Sequence, residues 1–220
     1  MTQMPPRNAT SDVPPLLDGT RMDRDTFHRV YCLHPEIRKA ELIDGVVRVA
    51  SPVSAAHADA HADLVIWCGT WSSSNRRTRI SDNITVILDE LEFQPDVSLS
   101  IRPERGGTIR YSPELYLIGA PDLIAEIAVS TEALDTGARM EAYRAGGVQE
   151  YIVWRVLSQR IDWHVLKNGQ YELLLPDEMG IVRSESFAGL WLDVAAMLAE
   201  DMARVLTTLR AGIATLSEVE

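Results

Sequence analysis

Residues 121–148, PDLIAEIAVSTEALDTGARMEAYRAGGV, contain the stretch that decides the fold. Within it, residues 123–129 are apolar except for one carboxylate, Glu126. An apolar run of this length predicts a β-strand that is buried on both faces. Burying a lone ionised carboxylate is costly unless it is paired or bound to a cation. Glu126 therefore either reaches solvent near the end of the strand or helps to hold a metal ion, and this stretch leaves both alternatives open.

The rest of the stretch predicts a helix over residues 132–145. Ser130 and Thr131 offer an N-cap, and Gly146-Gly147 gives a stop signal. Three strands then follow with short connections, and Asn168-Gly169 is a favoured two-residue turn. They are predicted over residues 150–157, 160–166 and 170–175, as an antiparallel extension of the sheet. From residue 193 onward, apolar residues at helical spacing predict one long C-terminal helix, which either covers the core or forms a subunit contact.

Upstream of residue 121, two turn and capping signals divide the chain. Asp44-Gly45 predicts a hairpin over residues 41–50, and Ser54 is the expected N-cap of a helix that runs to about residue 72. Pro95-Asp96 stands where a strand would enter the sheet, since proline cannot donate within a strand ladder. The remaining predictions are a helix at residues 22–33, strands at 78–81, 84–88 and 97–100, and a loop at 102–119.

Composition indicates a soluble single domain. Of 220 residues, 46% are apolar and 24% are charged, as in ordinary globular proteins. The expected organisation is a loose leader over residues 1–20, one domain over 21–198 and a C-terminal helix extension over 199–220. No run approaches the roughly 20 apolar residues of a membrane span, and no signal core opens the chain, so a cytoplasmic location is expected.

Charge and cysteine content argue against several functions. The net charge of −11 disfavours strong nonspecific nucleic-acid binding, although one basic groove would still permit it. The densest basic cluster, NRRTR at residues 75–79, is either a solvated loop or a phosphate-contacting patch. Cys32 and Cys68 are isolated, so neither a disulfide framework nor a zinc site is indicated.

Three acidic residues occupy strand-associated positions, namely Glu41, Asp96 and Glu126. Carboxylates that are brought together repel one another, and a cluster of them is stable mainly with a bound cation. Hard oxygen ligands suit Mg²⁺ or Mn²⁺. His57 and His61, four residues apart, have a metal-compatible spacing, but no HExxH pattern accompanies them, which favours surface or hydrogen-bonded histidines.

An ordered set of motifs resembles a known family. The set comprises ELIDGVV at 41–47, QPDVSL at 94–99, PDLIAEIAVST at 121–131, GGVQEYIVW at 146–154 and SFAGLWLD at 186–193. Over about residues 22–198 it is similar to the Uma-type restriction endonucleases of the PD-(D/E)XK nuclease superfamily. The resemblance implies an α/β (α+β) fold, with a restriction-endonuclease-like central mixed sheet flanked by helices. It also implies a divalent metal at one sheet edge, used to hydrolyse phosphodiester bonds of DNA with metal-activated water.

The resemblance also assigns site residues. Asp96 matches the metal-binding aspartate, Glu126 the acidic member of the (D/E)XK pair, and Glu41 the first acidic position, while His57 matches an early helical histidine. Asp96 and Glu126 are thus the expected metal ligands. The lysine of the superfamily would fall at Ala128, and its migrated position in the following helix is Arg139.

The missing lysine leaves two functions open. Arginine cannot shuttle a proton, although Arg139 could hold a phosphate. The first function is a Mg²⁺- or Mn²⁺-dependent endonuclease in which Glu41, Asp96, Glu126 and Arg139 form the site. The second is a nuclease-fold binding or regulatory module that no longer cuts and forms a homodimer.

Overall fold

The structure, a computed structural model, describes residues 13–216. Its strands, in chain order, are β1 (Ala40–Ile43), β2 (Val46–Val49), β3 (Thr78–Asp82), β4 (Val86–Leu88), β5 (Leu91–Phe93), β6 (Val97–Ile101), β7 (Arg110–Tyr111), β8 (Leu117–Ile118), β9 (Leu123–Ala128), β10 (Glu150–Arg155), β11 (Arg160–Lys167), β12 (Gln170–Leu173), β13 (Ile181–Arg183) and β14 (Trp191–Asp193). Its helices are α1 (Arg24–Tyr31), α2 (Ala55–Ser74), α3 (Glu132–Asp135), α4 (Ala138–Ala145), α5 (Val194–Leu198) and α6 (Met202–Ala214).

The predicted mixed sheet is confirmed. Its strand order is β12-β11-β10-β9-β6-β3, with β9 and β10 parallel and the other pairs antiparallel. The predicted antiparallel extension consists of β10, β11 and β12. A second six-stranded sheet, in the order β2-β1-β5-β4-β8-β7, was not anticipated and packs near the site described below.

Strand β9 is buried on both faces, as the apolar run predicts. Leu123, Ala125 and Ile127 point into the core that contains α2 and α6. Ile124 and Ala128 point the other way, into a second core with aromatic residues of β5 and α4. Because successive side chains of a strand alternate between faces, Glu126 shares the face of Ile124 and Ala128.

Helix α2 begins where the sequence predicts, since the Ser54 side chain accepts a hydrogen bond from the backbone N–H of His57. Its buried tryptophans also find polar partners. The Trp67 Nε1 atom donates to the Trp191 carbonyl at 3.0 Å, and Trp71 Nε1 donates to the Ala188 carbonyl at 3.2 Å. A buried indole N–H needs an acceptor, so these bonds fix α2 against the β13–β14 hairpin.

The two predicted hairpin turns are also confirmed. Asp44 and Gly45 have φ values of 51° and 67°, and Asn168 and Gly169 have values of 49° and 76°. Turns of this type need positive φ at both central residues, which Asn, Asp and Gly tolerate best.

The prediction of one helix over residues 132–145 is wrong. The segment forms α3 and α4, which are separated by Thr136 and Gly137. A Cβ atom built on Gly137 would lie 2.6 Å from the Ala133 carbonyl oxygen. The close backbone approach at this break therefore requires glycine, and propensity alone does not reveal it.

The prediction of one long C-terminal helix is also wrong. Helix α5 ends before Glu200, which adopts a left-handed conformation with φ of 58°, and the Asp201 side chain caps α6. Val205 and Leu209 of α6 are fully buried in the core with α2. The apolar face of α6 is thus core cover, the first of the two alternatives.

Residues 102–119 are not a simple loop, since they contain a short 3-10 helix at Pro103–Arg105 and strands β7 and β8. Of the predicted leader, residues 1–12 lie outside the described residues, but Leu16 is buried and the Gly19 N–H donates to the Val47 carbonyl. Residues 217–220 of the predicted extension lie outside them too. No helix within residues 13–216 combines the length and apolarity needed to cross a membrane.

Candidate functional site

Two carboxylates meet where β6 and β9 run side by side. Val97 of β6 pairs with Ala125 of β9, so Asp96 and Glu126 occupy the next position on the two antiparallel strands. The backbone N–H of Ile127 donates to Asp96 Oδ2 at 2.9 Å. Asp96 is therefore anchored directly to the strand that carries Glu126.

The other oxygen of Asp96 faces two cationic or protonatable side chains. Lys39 Nζ lies 3.1 Å from Asp96 Oδ1, and His57 Nε2 lies 3.6 Å from it. Burial acts to raise the pKa of Asp96, but the nearby His57 side chain and the charge of Lys39 hold it well below its ordinary value. Asp96 is thus ionised at neutral pH, and Lys39 and His57 are both partly exposed on this side.

Glu126 is the more deeply buried of the pair, with 1% of its surface exposed. The Tyr143 hydroxyl donates to its Oε1 at 2.6 Å, and Arg139 Nη1 lies 3.5 Å from its Oε2. Burial raises the pKa of Glu126 to about 8; Arg139 opposes this rise and the charge of Asp96 adds to it. The two strands thus hold the carboxylates close enough for the charge of Asp96 to disfavour ionisation of Glu126.

Arg139 links the second sheet to the same cluster. Its guanidinium donates to Glu41 Oε2 and, at 2.5 Å, to Asp135 Oδ1, while Glu41 Oε1 accepts the backbone N–H of Gln94 at 2.9 Å. Only 6% of Arg139 is exposed. The structure therefore brings Glu41, Glu126 and Arg139 together. Both terminal nitrogens of the Arg139 guanidinium, Nη1 and Nη2, are paired with carboxylates.

The histidine pair on α2 is hydrogen-bonded, as the simpler alternative predicts. His61 Nε2 lies 3.0 Å from the Asp96 carbonyl oxygen and 2.9 Å from Asp82 Oδ1. The rings of His57 and His61 stack with centroids 6.1 Å apart. Across residues 13–216, no group of three or more His, Cys, Asp or Glu side chains is arranged so that it could hold a metal ion.

Comparison with known proteins gives the family of the chain. Residues 24–195 match the profile of the Uma2 family, described as "Putative restriction endonuclease". The chain belongs to the Uma2 family. The resemblance drawn from the ordered motifs is thereby confirmed.

A solved structure supports the fold assigned to this Uma2 family member. It is the crystal structure of "a putative nuclease belonging to DUF820 from Anabaena variabilis", with a TM-score of 0.63 and 18% sequence identity. The match covers 81% of this chain and 98% of the other. At this identity the likeness shows a shared fold. No curated protein matches the chain.

Lys39 contacts the candidate site of this Uma2 family member but was not predicted from the sequence. It lies just before β1, 57 residues from the carboxylate it contacts. Burial acts to lower the pKa of Lys39, but Glu41, Glu126 and Asp96 outweigh it and raise the pKa above the ordinary lysine value. One signal could have found it: Lys39 is one of only two lysines and stands two residues before Glu41, on the same side of an extended chain.

Proposed function

We propose that this Uma2 family member is a divalent-metal-dependent endonuclease that hydrolyses phosphodiester bonds of DNA. The observation that carries the proposal is the position of Asp96 and Glu126. Neighbouring antiparallel strands hold these two carboxylates at one level and on one face, and Lys39 contacts Asp96 from the more open side.

The donor set fits Mg²⁺ or Mn²⁺. Mg²⁺ usually keeps several waters and binds through one or two carboxylates together with substrate phosphate, so a third protein ligand is not required. Asp96 and Glu126 would hold the ion, and the Ile127 carbonyl is adjacent to them on β9. When bound, such an ion acidifies water and stabilises negative charge on a phosphodiester.

The side chains around the carboxylates have separate roles in this proposal. Lys39 is protonated and partly exposed, so it is suited to pair with a non-bridging phosphate oxygen. Arg139 is buried and held by Glu41 and Asp135, so it keeps the carboxylates in position. Lys39 thereby takes the phosphate contact that sequence alone suggested for Arg139.

The exposed Arg79 of the basic cluster at residues 75–79 lies on β3 of the same sheet. Arg79 of β3 pairs with Ser100 of β6, and directly paired residues face the same side of a sheet. Ser100 is four residues from Asp96 and therefore shares its face, about 13 Å away along the strand. Ser98 and Ser100, which lie between them on this face, are buried, so no open path joins Arg79 to Asp96 and we assign Arg79 no phosphate contact.

Plasmid cleavage tests the proposal directly. With Mg²⁺ or Mn²⁺, we expect supercoiled DNA to be nicked or cut by wild-type protein. Asp96→Asn and Glu126→Gln, which keep side-chain size, should lower the rate by more than about 100-fold, since loss of a second-shell partner alone costs 10–100-fold. Glu178→Gln removes an exposed carboxylate far along the chain and is the matched control. Equal cleavage by all four proteins would refute the assignment.

The two lysines provide a second, internal comparison. Lys39→Met removes the cation that contacts Asp96, whereas Lys167→Met removes one that pairs with Glu185 on the surface. We expect the first substitution to reduce the cleavage rate at least about tenfold and the second to leave it unchanged. The opposite order would exclude Lys39 from the site.

A second candidate function is a nuclease-fold module that binds without cutting, as a homodimer. One observation favours it: both oxygens of Glu126 already have partners within the protein. Oε1 accepts a hydrogen bond from the Tyr143 hydroxyl, and Oε2 lies 3.5 Å from Arg139 Nη1. In that case millimolar Mg²⁺ or Mn²⁺ would leave the melting temperature unchanged. A bound metal at 100 times its Kd would stabilise the fold by about 2.7 kcal/mol. Light scattering would give the mass of the assembly.

A further inference from the structure

A second group of reactive side chains lies on α1 and β5, outside the carboxylate site. Cys32 is exposed at the C-terminal end of α1, and its Sγ lies 3.7 Å from His28 Nε2, one helical turn earlier. The other ring nitrogen of His28, Nδ1, lies 2.9 and 3.0 Å from the two carboxylate oxygens of Glu92. The order is therefore thiol, imidazole, carboxylate.

Glu92 is buried and hydrogen-bonded to His28, so it can fix the orientation of the imidazole ring. Only 1% of its surface is exposed, and burial raises its pKa while the hydrogen bond and charge of His28 oppose the rise. A carboxylate accepts hydrogen bonds, so Nδ1 of His28 carries the proton and Nε2 faces Cys32 as an acceptor.

The chain provides its own inert thiol for comparison. Cys68 is fully buried, and burial raises its pKa far above the ordinary value. Thiols in such surroundings are unreactive, whereas exposed thiols beside a base are nucleophilic. Tyr116 packs edge-on against the His28 ring with centroids 5.5 Å apart and also neighbours the Cys32 side chain, which remains exposed.

We propose that Cys32 is a nucleophilic thiol that exchanges with small-molecule disulfides, with His28 as its base and Glu92 as a positioning residue. His28 Nε2 takes the thiol proton, and the thiolate attacks one sulfur of the disulfide. A new S–S bond forms at Cys32 as the original S–S bond breaks. The departing thiolate takes the proton from His28, so no other oxidant is needed.

Backbone geometry selects disulfides over acyl substrates. Acyl transfer requires hydrogen-bond donors aimed at a developing oxyanion. The N–H groups of Cys32, Leu33 and His34 are already bonded to the carbonyls of residues 28, 30 and 31. Thiol–disulfide exchange needs no such donors and suits a thiol on an exposed helix end.

The test follows the reaction of the full chain with an aromatic disulfide reagent that releases a coloured thiol. We expect one rapid equivalent per chain and a second, from Cys68, only after denaturation. The matched control is Cys32→Ser combined with Ser73→Cys, because residue 73 is exposed in the last turn of α2. Its thiol has the ordinary environment of a helix end and should react at least about tenfold more slowly than Cys32.

Three further variants separate the roles of the partners. His28→Asn should slow the reaction at least about tenfold, and Glu92→Gln should slow it by a smaller factor. Glu92→Asp keeps the carboxylate and should restore part of the rate, which a merely structural role of Glu92 would not predict. Protection of Cys68 reports whether each variant is folded. If a variant exposes Cys68, that variant is not folded. The proposal is then tested by comparing the reaction rate of Cys32 in wild type with that of the thiol at residue 73. Equal rates for that thiol and for Cys32 would overturn the proposal, as would an unchanged rate in folded His28→Asn. None of these readouts depends on DNA cleavage.

Discussion

Replacing Arg139 by methionine tests whether one buried cation holds the acidic cluster together. The guanidinium lies 2.5 Å from Asp135 Oδ1 and 3.5 Å from Glu126 Oε2, and it also bonds to Glu41. All four side chains are at least nine-tenths buried. Removing one partner of a buried ion pair costs about 3–5 kcal/mol, because the remaining charge stays out of water.

The expected loss is large enough to measure by thermal denaturation. A domain of this size loses about 2–4 °C of melting temperature per kcal/mol, so Arg139→Met should melt about 6–20 °C below wild type at neutral pH without metal. The remaining carboxylates can become neutral by binding protons, so the difference should shrink in acid.

Two controls separate charge from shape in this experiment. Arg139→Lys keeps the charge but loses the planar guanidinium, so its melting temperature should fall between those of wild type and Arg139→Met. Arg210→Met removes an exposed arginine on α6 and should change stability by less than about 0.5 kcal/mol. If Arg139→Met melts within 2 °C of wild type, roughly the shift for 1 kcal/mol or less, Arg139 does not compensate the buried carboxylates.

The remaining predictions concern the pH dependence of metal binding and the backbone at two glycines. Because the pKa of Glu126 is raised to about 8 and metal ligands must be deprotonated, the thermal shift caused by Mn²⁺ should grow from pH 6 to pH 9 in wild type but not in Glu126→Gln. Without metal, a raised carboxyl pKa stabilises the fold below about pH 4.5, and this contribution is lost as pH rises through about 8. Glu126→Gln should therefore gain melting temperature relative to wild type between pH 5 and pH 9, and a constant difference would contradict the raised pKa. Gly137→Ala should destabilise the protein by about 1–3 kcal/mol in urea unfolding, because its Cβ would lie 2.6 Å from the Ala133 oxygen. Gly69→Ala, whose Cβ on α2 would have 4.0 Å to its nearest neighbour, should be neutral or stabilising; equal losses at both positions would rule out the steric explanation.

Elements that depend on a few neighbouring residues could be predicted from the sequence. The Ser54 cap, the two positive-φ turns and the doubly buried strand β9 appear where local pattern places them. The helix break at Gly137 could not be predicted, since an isolated glycine costs only about 1 kcal/mol in a helix and is often tolerated there. The close approach to Ala133 becomes visible only in the folded backbone.

The candidate site could also be predicted only in part from the sequence. Motif order indicated Asp96, Glu126, Glu41 and Arg139, and the structure brings them into one cluster. It did not indicate how the positive charges are distributed, with Arg139 buried among carboxylates and Lys39 on the accessible side of Asp96. Among 32 acidic residues, spacing cannot rank which ones meet a given cation.

The sequence by itself determined strand β9, the Ser54 cap and the two turns, because side-chain alternation, capping and turn preferences act over a few residues. Its ordered motifs indicated the family and, through that resemblance, the mixed sheet. Only the tertiary structure decided that Lys39 reaches Asp96 and that Arg139 joins Glu41 to Glu126. Lys39 and Asp96 are 57 residues apart in the chain, and Arg139 and Glu41 are 98 residues apart. Their geometry follows from how two sheets pack, which no local pattern encodes.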